Sequence, residues 1–199
     1  EILVEMSPIR AFMEQEYLDA GIRVLEDESD CSVLLGVKEV PLEMLIPNKT
    51  YFFFSHTYKK QPYNRVLLNE ILKKKIRLID YEVLTKENGA RLIGFGRYAG
   101  IVGAYNALLA AGKKYGTYEL KLAHECEDRK EVEREMSKIN LPKGYKIVIT
   151  GKGRVAGGAM EILDYAGIEK VSPEDFLSKE FDQPVYTQLG VEYYNKSKN

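Results

Sequence analysis

A β-rich run, Tyr145-Lys-Ile-Val-Ile-Thr150, breaks directly into Gly151-Lys-Gly153-Arg-Val-Ala156, and a helical pattern from Gly158 to Gly167 follows. In sequence order that is a strand, a tight turn and a helix N-terminus, the repeating unit of parallel α/β architectures. Such a turn leaves backbone N–H groups unpaired at the positive end of a helix dipole, where a pyrophosphate is well held. The spacing matches G-x-G-x-x-G, with Ala156 at a third position that needs only a small side chain for helix–strand packing. Gly151, Gly153, Arg154, Val155 and Ala156 are therefore the candidate cofactor-binding residues. An ordinary β-α turn that uses glycine for φ > 0 is the alternative.

Short β-rich runs and helical patterns also alternate before this turn. Ile2–Glu5, Ile22–Leu25, Ser32–Lys38, Tyr51–Ser55 and Ile76–Asp80 read as strands, and Phe12–Ala20 and residues 64–75 read as helices. Asn88-Gly89 signals a hairpin turn before Arg91–Phe95. Tyr98–Gly112 reads as a closely packed helix rich in small residues, and Asp128–Asn140 as an amphipathic helix ended near Pro142. The pattern predicts a parallel α/β fold, with the domain boundary in the helical stretch between 100 and 142. Residues 1–140 would form the catalytic domain with its connecting helices, and 141–199 the start of a dinucleotide-binding domain. After the turn, one strand at Lys170–Ser172 and one helix do not complete a mononucleotide-binding half. This second domain is expected to be incomplete, and the chain to be part of a longer polypeptide.

Composition narrows the partners. With 29 basic against 30 acidic side chains and a net charge of −1, nothing favours nucleic acid or an anionic membrane. Cys31 and Cys126 are too few and too far apart for a disulfide scaffold, and no metal site is expected. The apolar stretch Tyr98–Gly112 is too short to span a bilayer, and no signal peptide is visible, so a cytoplasmic protein is expected. The Lys73–Lys75 run reads as a solvated helix end.

Ligands of open parallel sheets bind outside the carboxyl ends of the strands. Lys38 closes one such strand and His56 follows another. If the two strands are neighbours, both side chains project into one crevice. Like charges and partial burial there disfavour double protonation, which leaves one group able to act as a base at an amine or carbonyl centre. A solvated lysine and a packing histidine are the plainer alternatives. His124 has no patterned partner and reads as surface.

Leu35-Gly-Val-Lys-Glu-Val40, Tyr51-Phe-Phe-Phe-Ser-His-Thr57, Gln61-Pro-Tyr-Asn64, Ile76-Arg-Leu-Ile-Asp-Tyr-Glu82 and Phe95-Gly-Arg-Tyr-Ala-Gly100 occur in this order. Together they resemble the lysine–2-oxoglutarate reductase (lysine-forming saccharopine dehydrogenase) family, within the alanine dehydrogenase and transhydrogenase superfamily. Gly151–Ala159 and Lys170–Leu177 continue the resemblance. It implies two Rossmann-like parallel-sheet domains, the second incomplete here, with an active site in the cleft between them. It implies an NAD(P)-dependent oxidoreductase acting on the CH–NH group of amino acids, forming or cleaving saccharopine from lysine and 2-oxoglutarate by imine reduction. The family's catalytic Lys and His fall on Lys38 and His56. Glu82 and Arg91 become candidate substrate-binding residues, Arg91 toward a substrate carboxylate. An amino acid and a 2-oxo acid are the implied partners, and a homo-oligomer is compatible with them.

The family's first segment, with a basic substrate-binding residue, would precede Glu1. A ribose-binding acid is expected about 20 residues after the turn, but the strand candidate ends at Ser172 and Glu174 follows a proline, so NAD and NADP both stay open. An alanine dehydrogenase acting on pyruvate and ammonia, or a non-catalytic nucleotide-binding module, are the alternative functions.

Overall fold

Every ladder between strands in the computed structural model, which describes residues 1–196, is parallel. Parallel strands need crossover connections, and the helical segments between the β-rich runs supply them. The chain divides into two compact units, Glu1–Gly94 and a second from Phe95 onward. This division falls earlier than the one drawn from sequence at residue 140. The long helix beginning at Gly96 packs on the helix that follows the glycine turn, and so belongs to the second unit.

In the first unit, β1 (Leu3–Glu5) and β2 (Arg23–Leu25) pair across α1 (Glu14–Asp19). A three-stranded sheet follows, ordered β3 (Val33–Lys38), β4 (Thr50–Phe54), β5 (Arg77–Asp80), with α2 (Arg65–Lys73) crossing between the last two. Central β4 supplies most of the core. Tyr51 and Phe53 cluster with Leu45, Ile76 and the buried α2 residues Leu67 and Ile71. Burying an apolar side chain of this size contributes roughly 1.5–3 kcal/mol, so this cluster fixes which face of α2 meets the sheet.

Two local expectations change. Lys74 is not solvated: its ammonium donates to the carbonyls of Leu42 and Leu45 at 2.9 and 2.8 Å, closing the turn before β4. The turn at Asn88-Gly89 forms, with Gly89 at φ +77, but its arms pair only through a single Thr85–Arg91 bridge. No strand forms at 91–95, because the chain enters a helix at Gly96.

The second unit comprises α3 (Gly96–Tyr115), α4 (Arg129–Glu135), β6 (Lys146–Thr150), α5 (Arg154–Tyr165), β7 (Glu169–Lys170), α6 (Pro173–Ser178), β8 (Val185–Leu189) and α7 (Val191–Tyr194). Its sheet order is β6-β8-β7. The strand expected at Lys170–Ser172 thus shrinks to Glu169–Lys170 at the edge, while β8 takes the centre with Val185, Tyr186 and Thr187 fully buried. α3 buries Ile101, Ala104, Tyr105, Leu108 and Ala111, as its small-residue pattern predicts, and α4 adds Val132. α3 and α5 approach closely at Gly100 and Gly158, where a Cβ would overlap the carbonyls of Val155 and Arg97 respectively. Among the described residues no helix is long and apolar enough to cross a membrane.

Candidate functional site

β3 and β4 are adjacent and parallel, with Lys38 opposite Phe54 in the register, so Lys38 and His56 do emerge at the same end of neighbouring strands. The Lys38 side chain is exposed and makes no hydrogen bond or ion pair among the described residues. The partial burial expected for it is absent. His56 is half-buried and lies at φ +56, a left-handed conformation uncommon for a residue with a Cβ.

Buried polar groups hold that conformation. The Ser55 hydroxyl donates to Asp80 at 2.5 Å and accepts from the Thr57 amide at 3.1 Å. The other Asp80 oxygen accepts from the Glu82 amide at 2.8 Å. Asp80 therefore ties the turn after β4 to the turn after β5. The result brings His56 Nδ1 within 2.6 Å of Glu82 Oε2.

Glu82 is only 4% exposed and collects two cations and the His56 imidazole. Besides His56, Lys59 Nζ and Arg91 each lie 2.9 Å from Oε1. Burial alone would raise the Glu82 carboxyl, but the bonds from Lys59 and His56 outweigh it and hold the carboxyl below its ordinary value. Lys59 also approaches His56 Nδ1, at 3.3 Å. Since the shorter contact is to a carboxylate, which can only accept, Nδ1 carries the proton and Nε2 is left as the open lone pair of the neutral ring. Glu82 thus serves the protein's own cations rather than an open surface, whereas the Arg91 side chain, 45% exposed, keeps donors free. Lys59 escaped the sequence reading because only the left-handed turn at His56 folds it back toward Glu82.

In the second unit, Gly151 has φ +89, accessible at low cost only to glycine, and its amide donates to Leu189 at 2.7 Å. Gly153 precedes α5, and a Cβ on either glycine would meet nothing within 4 Å. Ala156 is buried while Arg154 and Val155 present exposed side chains. The glycines thus leave room over an unobstructed helix N-terminus, as a phosphate cradle requires. In the first unit, a groove of about 800 Å³ between β1 and β3 is lined by Leu3, Val33, Leu35 and Met44, but by neither Lys38 nor His56.

Residues 1–102 match the family model for the alanine dehydrogenase/PNT N-terminal domain. The chain belongs to this family. Similarity to whole proteins extends past residue 102. Mitochondrial alpha-aminoadipic semialdehyde synthase of Bos taurus is 38% identical over 192 residues, which is 88% of this chain and 21% of that one. A saccharopine dehydrogenase (NAD⁺, L-lysine-forming) of Yarrowia lipolytica is 35% identical over 109 residues, covering 52% of this chain and 30% of the relative. Among solved structures, an L-alanine dehydrogenase superposes with a TM-score of 0.57 at 14% identity, covering 96% of this chain and 53% of that one. That likeness shows the shared α/β fold. The chain spans about a fifth of the length of the mammalian relatives, 21%.

Proposed function

We propose that this chain contributes to a nicotinamide-dependent oxidoreductase that interconverts lysine plus 2-oxoglutarate with saccharopine. The observation that carries this reading is the His56–Glu82 pair at 2.6 Å, set at the strand ends where Lys38 also emerges. Support comes from the semialdehyde synthase and lysine-forming saccharopine dehydrogenase names of the relatives. The glycine turn fits a dinucleotide, since both glycines leave the space a pyrophosphate would fill.

When bound, the nicotinamide ring supplies or accepts the hydride. The chain's own residues handle protons and position substrate. His56 Nε2 takes a proton from the lysine ammonium, freeing an amine that attacks C2 of the 2-oxo acid. A C–N bond forms, and Lys38 delivers one proton to the former carbonyl oxygen and regains one from the nitrogen. The His56 imidazolium delivers the second, and the C–O bond breaks to release water and leave the protonated imine. The Glu82 carboxylate stabilises the imidazolium formed at His56 and keeps its ring oriented. Arg91 directs its free donors to a substrate carboxylate.

Purified full-length protein tests this directly through the absorbance of the reduced cofactor. Oxidation that requires lysine together with 2-oxoglutarate is expected. Oxidation that requires pyruvate with ammonium would assign an alanine dehydrogenase instead. Tight cofactor binding without turnover of either pair would make the fold a non-catalytic nucleotide module.

A further inference from the structure

A ribose-binding acid about 20 residues past the glycine turn would fall at Ser172 to Glu174, after β7 at the edge of the sheet. β7 is separated from β6 by β8, so the chain that emerges beside the turn is the one leaving β8. β6 and β8 run in register from Lys146–Val185 to Thr150–Leu189. Gln188 Nε2 further secures the turn by donating to the Gly151 carbonyl at 2.9 Å. Beyond Leu189, Glu192 folds its carboxylate over Gly190, which has no Cβ to obstruct it, and pairs with the ammonium of Lys152. Lys152 is the residue between the two glycines.

We propose that Glu192, held in place by Lys152, selects a dinucleotide whose adenosine ribose carries a free 2′-hydroxyl over one carrying a 2′-phosphate. This rests on the nucleotide reading above and names its cofactor class. In such sheets the ribose lies against the end of the strand beside the turn. A carboxylate there accepts bonds from ribose hydroxyls. A 2′-phosphate would instead bring about two further negative charges against that carboxylate. Lys152 cannot compensate freely, because Glu192 already neutralises it. Arg154, exposed and without an ion pair among the described residues, is the competing cation.

Calorimetric titration of the full-length protein with NADH and with NADPH tests the assignment through affinity alone. Wild type is expected to bind NADH about 10-fold or more tightly, equivalent to about 1.4 kcal/mol. Glu192→Arg is expected to abolish or invert that ratio, with unchanged circular dichroism showing that it folds. NADPH preferred by wild type and weakened by Arg154→Ala would transfer the role to Arg154 and overturn the proposal. An unchanged ratio in Glu192→Arg would also overturn it while leaving the nucleotide site intact. Failure of wild type to bind either cofactor would remove the nucleotide reading as well.

Discussion

The His56 imidazole and the Glu82 carboxylate meet at 2.6 Å, Nδ1 to Oε2, between turns that follow two adjacent parallel strands. Their meeting depends on Asp80, which accepts from Ser55 with one oxygen and from the Glu82 amide with the other. The pair fixes the tautomer of His56, and the buried negative charge lies between it and two cations, Lys59 and Arg91. Glu82→Gln keeps the shape and removes the charge. Removing one partner of a buried pair costs about 3–5 kcal/mol. The cations here are partly exposed and water takes up some of that loss, so a destabilisation of roughly 1–3 kcal/mol is expected. Urea unfolding of wild type and variant at neutral pH measures it, and equal midpoints would show that the cluster adds nothing.

The same carboxyl sets a pH dependence. Its value is depressed in the folded state, so its contribution is fully present above the unfolded carboxyl value, about 4.3. It is lost as the pH falls below that value and through the depressed one. The stability difference between wild type and Glu82→Gln is therefore expected to narrow on acidification through that window. A difference that widens in acid would reverse the sign and contradict the assignment. Comparing the two proteins cancels the depressed carboxyls elsewhere, such as Glu135.

Lys38 and His56 give the sharpest functional test. Lys38→Met and His56→Ala are each expected to lower turnover of the saccharopine-type reaction by about 10²-fold or more, the scale for losing a positioned acid or base. Cofactor affinity should hardly move. Exposed Lys38 has no structural partner among the described residues, so its variant is expected to keep wild-type stability. Full turnover in both variants would remove the pair from the chemistry.

How much of this was legible in the sequence differs from element to element. Hydrophobic period and strand-end position located β3, β4 and the two basic residues at their ends, because a parallel sheet places strand ends together without further information. The Asp80 bridge was not legible, since it joins Ser55 to a residue 25 positions away. The same holds for Lys59, whose position depends on a left-handed turn that no glycine announces. β8 was missed although Val185-Tyr-Thr-Gln-Leu189 lies between Pro184 and Gly190, because its Thr and Gln read as polar while its place in the sheet is central.

Gly153→Val separates folding from phosphate binding. Gly153 has φ −88 and a new Cβ would meet nothing within 4 Å, so the backbone tolerates the substitution. The branched side chain would fill the space left for a pyrophosphate. Thermal stability within a few degrees of wild type is expected, together with loss of cofactor binding in calorimetry. Retained affinity would sever the link between this turn and the nucleotide.

Gly100→Ala should do the reverse and reach the turn through packing. Its Cβ would overlap the Val155 carbonyl, which lies in the first turn of α5. Two helices in close backbone contact have no flexible side chain to give way, so α3 and α5 must separate. Overpacking of this kind costs typically 1–3 kcal/mol, and more where backbone opposes backbone. Because α5 begins at Arg154, directly after the glycines, its displacement moves the N–H groups expected to hold phosphate. A fall in thermal midpoint accompanied by weaker cofactor binding is expected, whereas Gly103→Ala, three residues along α3 with nothing within 4 Å, should leave binding unchanged and raise the midpoint slightly, as alanine does in a helix interior. Equal behaviour of the two alanine variants would show that the close approach of α3 and α5 does not support the turn.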